Sequence, residues 1–244
     1  MPPARPRRRP RAVHVLRTLL AVSAILPGLL AGAALLVVTR NRRRAINGAV
    51  SLWGTLGTLA AGIRLEVEGA EHLERHRPVV FILNHQSGID PILACALIRH
   101  DFVAVAKQEV RRNPVLGPAF AFAGVAFVDR ADRAQALRAL SPALDVLASG
   151  LSIAVAPEGT RGDGDVLGPF KKGAFRIAMA AGVPIVPIVI HNAGDVLPRG
   201  AWIMTPATVR VAVLPPIPTY DWKLERLDAH IEAVHERYRQ VLAA

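Results

Sequence analysis

From Arg64 onward the chain alternates short apolar runs with longer helical stretches, and this pattern restricts the fold more than any other feature. Runs over 79–83, 102–106, 125–128, 151–156, 185–190 and 209–213 read as strands. Stretches over 91–99, 132–149, 171–181 and 222–242 read as helices. Such alternation predicts an α/β domain with a largely parallel central sheet flanked by helices. In open sheets of this kind ligands bind beyond the carboxyl ends of the strands. The polar residues able to do chemistry cluster there: His85, then Lys107, Arg130, Glu158 and Arg161, each just after a run.

The sharpest local signal is Asn84-His85-Gln86-Ser87-Gly88-Ile89-Asp90. Asp90-Pro91 is a good helix start, with Asp as N-cap and Pro at the first helical position. On a regular helix two residues five apart point about 140° away from each other. A turn would instead bring the Asp90 carboxylate to the His85 ring. A carboxylate on one ring nitrogen leaves the other free to act as a base near neutral pH. The plainer alternative is a capping Asp beside an unrelated polar His, and the heptapeptide alone leaves both open. Ser87 suits helix capping better than nucleophilic attack, and the chain lacks a Gly-x-Ser-x-Gly elbow. Backbone N–H groups at the helix start after His85 are the expected donors to an oxyanion.

Upstream of the alternating region the composition changes. The net charge is +11, which raises nucleic-acid binding as a class. Its distribution argues against that class. Ten of the 30 basic residues are arginines within the first 44 positions, a segment without Asp or Glu, leaving 20 basic against 19 acidic residues elsewhere. The excess is an arm beside an apolar segment. Residues 1–12 read as a disordered basic arm. Residues 18–39 carry no charge over 22 positions, long enough to cross a bilayer as a helix. Arg40, Arg42, Arg43 and Arg44 follow, then a weaker uncharged run over 45–63. Ala31-Gly32-Ala33 resembles a signal-peptide cleavage site, but the apolar run continues past it. Basic residues at both ends of the first run give the positive-inside rule no clean vote. A re-entrant or interfacial helical pair, with Pro27 permitting a break, keeps both Arg clusters on the cytoplasmic face. The expected organisation is therefore 1–12 arm, 13–63 membrane-associated helical pair and 64–244 α/β domain. The expected location is the cell membrane, with the catalytic domain on its cytoplasmic side.

Three further blocks follow the heptapeptide: Gly124-Val125-Ala126-Phe127-Val128-Asp129-Arg130, Glu158-Gly159-Thr160-Arg161 and Ile185-Val186-Pro187-Ile188-Val189-Ile190. With Asn84-His85-x4-Asp90, and with Phe170-Lys171-Lys172-Gly173, they resemble in order the signatures of the lysophospholipid acyltransferase family. The resemblance covers roughly residues 64–215. It departs at Gly162, where the family often has Ser, which bears on the fine positioning of the acceptor. The resemblance implies transfer of a fatty acyl group from acyl-CoA or acyl carrier protein to the free hydroxyl of 1-acylglycerol-3-phosphate. No cofactor is implied beyond that co-substrate. His85 is then the base and Asp90 its orienting acid. The acceptor set is Arg130, Glu158, Gly159, Thr160, Arg161 and Lys107, and Pro187 has an acyl-side or structural role. Arg161 offers a planar fork for two phosphate oxygens. Arg130 has a plainer reading as a surface partner of Asp129 or Asp132, and Lys171 and Lys172 as solvated residues at a helix start. Gly159 and Gly162 suit close backbone approach.

Other readings remain in play. The acceptor alternative is another lysolipid, such as an aminolipid or lysophosphatidylglycerol. A lipid esterase lacks its nucleophile here, and a non-catalytic membrane adaptor leaves the His85/Asp90 pair without a purpose. The loop over 159–168 lacks the Gly-Lys-Ser/Thr end of a P-loop, which excludes that ATP site. His72, His76, His100, His230 and His235 form no metal spacing, so no metal is expected. His191-Asn192 reads as a turn. Cys95, the single cysteine, reads as a small core residue. Leu224, Leu227, Ile231, Val234, Tyr238 and Val241 form one face of an amphipathic helix that covers the core. Of the three tryptophans, only Trp53 has the apolar sequence context of an interfacial anchor; Trp202 and Trp222 do not.

Overall fold

The computed structural model describes residues 11–107, 117, 126–128, 141–162 and 166–244, with backbone alone at 106, 107 and 126–128. Among the described residues seven strands form one sheet: β1 (Ile63–Glu68), β2 (Val80–Leu83), β3 (Phe102–Lys107), β4 (Ala126–Val128), β5 (Ser152–Val155), β6 (Ile185–Ile190) and β7 (Ala207–Val213). Their order across the sheet is β1-β7-β6-β2-β5-β3-β4. All neighbours are parallel except β6 and β7. The largely parallel sheet expected from the alternation is therefore present. β1 was not among the expected strands. Its Ile-Arg-Leu-Glu-Val-Glu sequence alternates half-buried with exposed residues, the signature of an edge strand with one wet face rather than a continuous apolar run.

The described helices are α1 (Ala12–Ser23), α2 (Ile25–Thr39), α3 (Arg42–Ala61), α4 (Asp90–Ile98), α5 (Ser141–Ala148), α6 (Gly173–Ala181), α7 (Ala193–Val196) and α8 (Leu227–Ala243). They cover both faces of the sheet. Phe81 and Leu83 pack toward α4, while Val80 and Ile82 pack toward α5, α6 and α8. That two-sided burial follows from the period of two along β2. α8 buries Leu227, Ile231, Val234 and Tyr238, as the spacing predicts. Leu224 departs from it: it lies in a 3₁₀ turn before the helix and is exposed. Cys95 is core, and burial pushes its thiol up to about 12.

Asp90 opens α4 one position later than an N-cap, with Pro91 in the first turn, where a missing N–H costs no hydrogen bond. Pro27 likewise falls in the first turn of α2, after a break at Ala24. α1 and α2 together form one apolar helical stretch, Ala12–Thr39, long enough to cross a membrane. Arg40, at φ 51°, ends α2, and Asn41 Oδ1 caps α3 by accepting from the Arg44 N–H at 3.0 Å. α3 packs between α2 on one side and α4 on the other. Gly54 lets it reach the backbone of Cys95 and Ala96, and Gly57 faces the Ile92 side chain. At the start of α3, Arg43 binds Asp101 at 2.6 Å and the Gly150 carbonyl at 3.2 Å. Asn47 Nδ2 also donates to Asp101, at 2.8 Å. The Arg43 guanidinium holds the Asp101 carboxyl well below the usual carboxylate range.

Candidate active site

β2 and β5 end at the same edge of the sheet, and the loops beyond them build the site. Asn84 extends β2 beyond its last strand residue. Its Nδ2 donates to the Ile190 carbonyl at 2.8 Å, and its Oδ1 accepts from the Ile190 N–H at 2.7 Å. This side chain replaces a backbone partner and fixes where His85 emerges. The chain then turns tightly. Asp90 Oδ2 accepts from the backbone N–H groups of Gln86 and Ser87, each at 2.9 Å, and lies 2.6 Å from His85 Nδ1. The turn thus brings the carboxylate to the imidazole. Asp90 is 7% exposed. The ring Nε2 of His85, which is partly exposed, makes no hydrogen bond among the described residues.

The loop after β5 grips the His85 backbone from both sides. Glu158 Oε1 accepts the His85 N–H at 3.0 Å, and the Gly162 N–H donates to the His85 carbonyl at 2.9 Å. Gly159 stands at φ 75°, a left-handed turn open to glycine. A Cβ on Gly162 would lie 2.9 Å from the Val166 carbonyl oxygen, so the close approach expected there is real. Glu158 is 5% exposed. Burial pushes its carboxyl above the usual range, against the opposing pull of its N–H donors. Glu158 Oε2 and Asp90 Oδ1 are buried without a hydrogen-bond partner among the described residues.

Arg161 lies between these two grips and is exposed. A Cβ built on Gly88 would sit 3.5 Å from one of its guanidinium nitrogens. The cation therefore reaches over the turn that carries His85 and Asp90. Thr160 is exposed on the same loop. Lys107 is the last residue of β3 rather than the first beyond it, and Arg130 lies outside the described residues. Pro187 is in the middle of β6, opposite Leu214, whose N–H donates to its carbonyl at 2.9 Å. That position places it in the sheet rather than at the rim. Lys172 pairs with Asp228 on α8 at 2.7 Å, a surface ion pair.

Of the backbone N–H groups at the helix start after His85, all but one between Gln86 and Asp90 are committed within the turn. The Gln86 and Ser87 N–H groups serve Asp90, that of Ile89 turns to Ser87 Oγ, and that of Asp90 to the Ser87 carbonyl. The Gly88 N–H makes no hydrogen bond among the described residues. Ser87 Oγ donates to the Leu197 carbonyl at 2.7 Å, a structural use of the hydroxyl. Sequence reasoning missed two further contributors. One is the splicing role of Asn84. The other is Tyr238, whose buried hydroxyl donates to the Ile82 carbonyl at 2.6 Å behind the site; burial raises its phenol.

A family model described as Acyltransferase matches residues 64–191, more than half of the chain, and takes in His85, Asp90, Glu158 and Arg161. The chain belongs to the acyltransferase family. Among its relatives is the 1-acyl-sn-glycerol-3-phosphate acyltransferase of Limnanthes alba, 35% identical over 185 residues, or 75% of this chain and 65% of that one. The 1-acyl-sn-glycerol-3-phosphate acyltransferase alpha of Homo sapiens is 38% identical over 159 residues, 65% of this chain and 56% of that one. The alignments thus span less than two thirds of these relatives. The crystal structure of the 1-acyl-sn-glycerophosphate (LPA) acyltransferase, PlsC, from Thermotoga maritima is similar with a TM-score of 0.77 at 26% identity. It covers 95% of each chain.

Proposed function

We propose that this acyltransferase moves a fatty acyl group from a thioester to the free hydroxyl of 1-acylglycerol-3-phosphate, giving phosphatidic acid. The observation that carries this reading is the 2.6 Å contact between His85 Nδ1 and Asp90 Oδ2 beside the Arg161 cation. Nε2 takes the proton as the acceptor oxygen attacks the thioester carbonyl. The C–S bond then breaks, and the thiolate leaves with that proton. Asp90 holds the ring through Nδ1 and faces the positive charge that forms on it during transfer, and a base of this kind contributes about 10²- to 10⁴-fold. Arg161 binds the acceptor phosphate through its planar fork, with Lys107 and Arg130 as further cations. The Gly88 N–H is the donor left for the oxyanion. Glu158 supports the base through the His85 N–H; Gly159 and Thr160 shape the loop on which Arg161 stands. The donor is acyl-CoA or acyl carrier protein. The names of the relatives support the acceptor.

The enzyme works at the cytoplasmic face of the cell membrane, held by its N-terminal helices. The packing of α3 between α2 and α4 favours a hairpin lying in the interface. A fully transmembrane α2 would draw α4 and the sheet toward the bilayer with it. Protease protection of tags at Met1 and Ala244 tests this against a single full span: the same side excludes that span, opposite sides exclude the interfacial hairpin.

Radiolabelled acyl-CoA incubated with purified protein and a panel of lysolipids tests the reaction. Labelled phosphatidic acid is expected. Acylation of an aminolipid or lysophosphatidylglycerol in preference would reassign the acceptor, and free fatty acid alone would make the protein an esterase.

A further inference from the structure

The connection between β6 and β7 touches the candidate site at one end and the N-terminal helix at the other. At the first end the Leu197 carbonyl accepts from Ser87 Oγ at 2.7 Å. A Cβ on Gly88 would lie 3.2 Å from the Leu197 side chain. At the second end the Met204 N–H donates to Thr18 Oγ1 of α1 at 2.8 Å, and the Met204 side chain is buried. The Thr205 N–H closes the loop onto the Val196 carbonyl at 2.8 Å. Pro206 then packs beside Gly62, as does Arg17 of α1. The segment is thus pinned at both ends.

What it holds out between those ends is an indole. A turn closes from the Ala201 N–H to the Pro198 carbonyl at 3.0 Å, and Trp202, which follows, is 90% exposed. Trp202 is two residues from the contact with Thr18. Val15 and Val22, three before and four after Thr18, share its face of α1 and are exposed too. Residues 197–206 and α1 contain no Asp or Glu, while α1 carries Arg17. An amphipathic ring beside an apolar helix face with a basic fringe fits the headgroup level of an anionic bilayer. The other two tryptophans are occupied inside the fold. Trp53 packs against the core. Trp222 stacks on His230 with ring centroids 4.4 Å apart.

We infer that the 197–206 loop is a second seat on the lipid surface, with Trp202 in the headgroup layer. Through Leu197 and Ser87 it ties that contact to the turn carrying His85. The inference rests on the reading of the chain as an enzyme of the membrane surface, and deepens it. A loop fixed to both places sets the height of the base above the lipid.

The test uses the full-length protein and vesicles of phosphatidylcholine and phosphatidylglycerol with brominated acyl chains. Brominated lipid should quench the wild-type fluorescence more than that of Trp202→Phe, and Trp53→Phe should keep the Trp202 component. Trp202→Glu should weaken vesicle binding roughly five- to tenfold, the scale of losing one partly seated aromatic anchor. The apparent KM for lysolipid presented in vesicles should rise in proportion, while turnover of the same lysolipid dispersed as monomers stays at the wild-type rate. Equal quenching of wild type and Trp202→Phe would overturn the inference, as would unchanged vesicle binding by Trp202→Glu. Shielding of Trp202 from acrylamide without lipid would also overturn it, because a protein surface would then cover the ring. If Trp202 is quenched but no lysolipid is acylated, the assigned reaction falls and the lipid contact stands.

Discussion

Replacing Asp90 by alanine or by asparagine separates the structural work of its carboxylate from its charge. Oδ2 lies 2.6 Å from His85 Nδ1 and accepts two backbone N–H groups at 2.9 Å. Those two donors belong to buried residues. Alanine would leave them without an acceptor, at about 1–3 kcal/mol each. Asp90→Ala should therefore lower the unfolding free energy by roughly 2–6 kcal/mol. Asparagine keeps an oxygen in place, so Asp90→Asn should lose less than about 2 kcal/mol. It cannot stabilise the charged ring that forms as the acceptor is deprotonated. Asp90→Asn should accordingly unfold cooperatively yet lose about 10²–10⁴ in kcat, with the acceptor KM little changed, because the loss falls on the transition state alone. Denaturant titration and initial rates with radiolabelled thioester measure both quantities. Asparagine retaining more than roughly a tenth of the wild-type kcat would refute the charge argument. Alanine unfolding at the wild-type midpoint would refute the stitching of the turn.

Substitutions at three other positions test two neighbours of that pair and one distant ion pair. Glu158→Gln should keep most of kcat, since an amide oxygen can still accept the His85 N–H, whereas Glu158→Ala should lose kcat with little change in acceptor KM. Because burial raises the Glu158 carboxyl, the folded state keeps a proton that the unfolded state has released. The wild type should thus lose stability relative to Glu158→Gln as pH rises from about 4, measured by melts across pH. Arg161→Ala should raise the acceptor KM at least roughly tenfold, the scale of a charge-assisted bond, with unchanged thioester KM; no change would remove the phosphate from that site. Asp101 has the opposite sign. Its carboxyl is depressed, so its contribution is present above about pH 4 and lost as pH falls below it. Asp101→Asn should flatten that acid loss, and an unaltered acid limb would contradict the Arg43 contact.

The sequence made the centre of this site readable and its supports much less so. His85 and Asp90 stood out because both flank a strand-to-helix turn, and the geometry of that turn brings their side chains together. The Arg161 cation was readable for the same reason, being the first charge after Glu158 beyond a buried strand. Nothing in Glu158 itself indicates that one oxygen is committed to the His85 backbone. That follows only from the adjacency of β2 and β5, strands 69 positions apart in the sequence when Leu83 is set against Ser152. Asn84 and Tyr238 are similar: each bonds a carbonyl supplied by a distant part of the fold. β1 escaped because a half-wet edge strand has no continuous apolar run. Trp202 was discounted because the apolar run around it is only four residues long, Ala201 to Met204, between Gly200 and Thr205. Its relevant neighbour, Thr18, is supplied by the fold instead.

The most direct test of the account is the product formed from 1-acylglycerol-3-phosphate and radiolabelled acyl-CoA by the wild type and by His85→Ala, at matched folded concentration. Phosphatidic acid is expected from the wild type and a rate lower by about 10²–10⁴ from the variant, with an unchanged melting temperature. A folded His85→Ala protein making phosphatidic acid at the wild-type rate would contradict it.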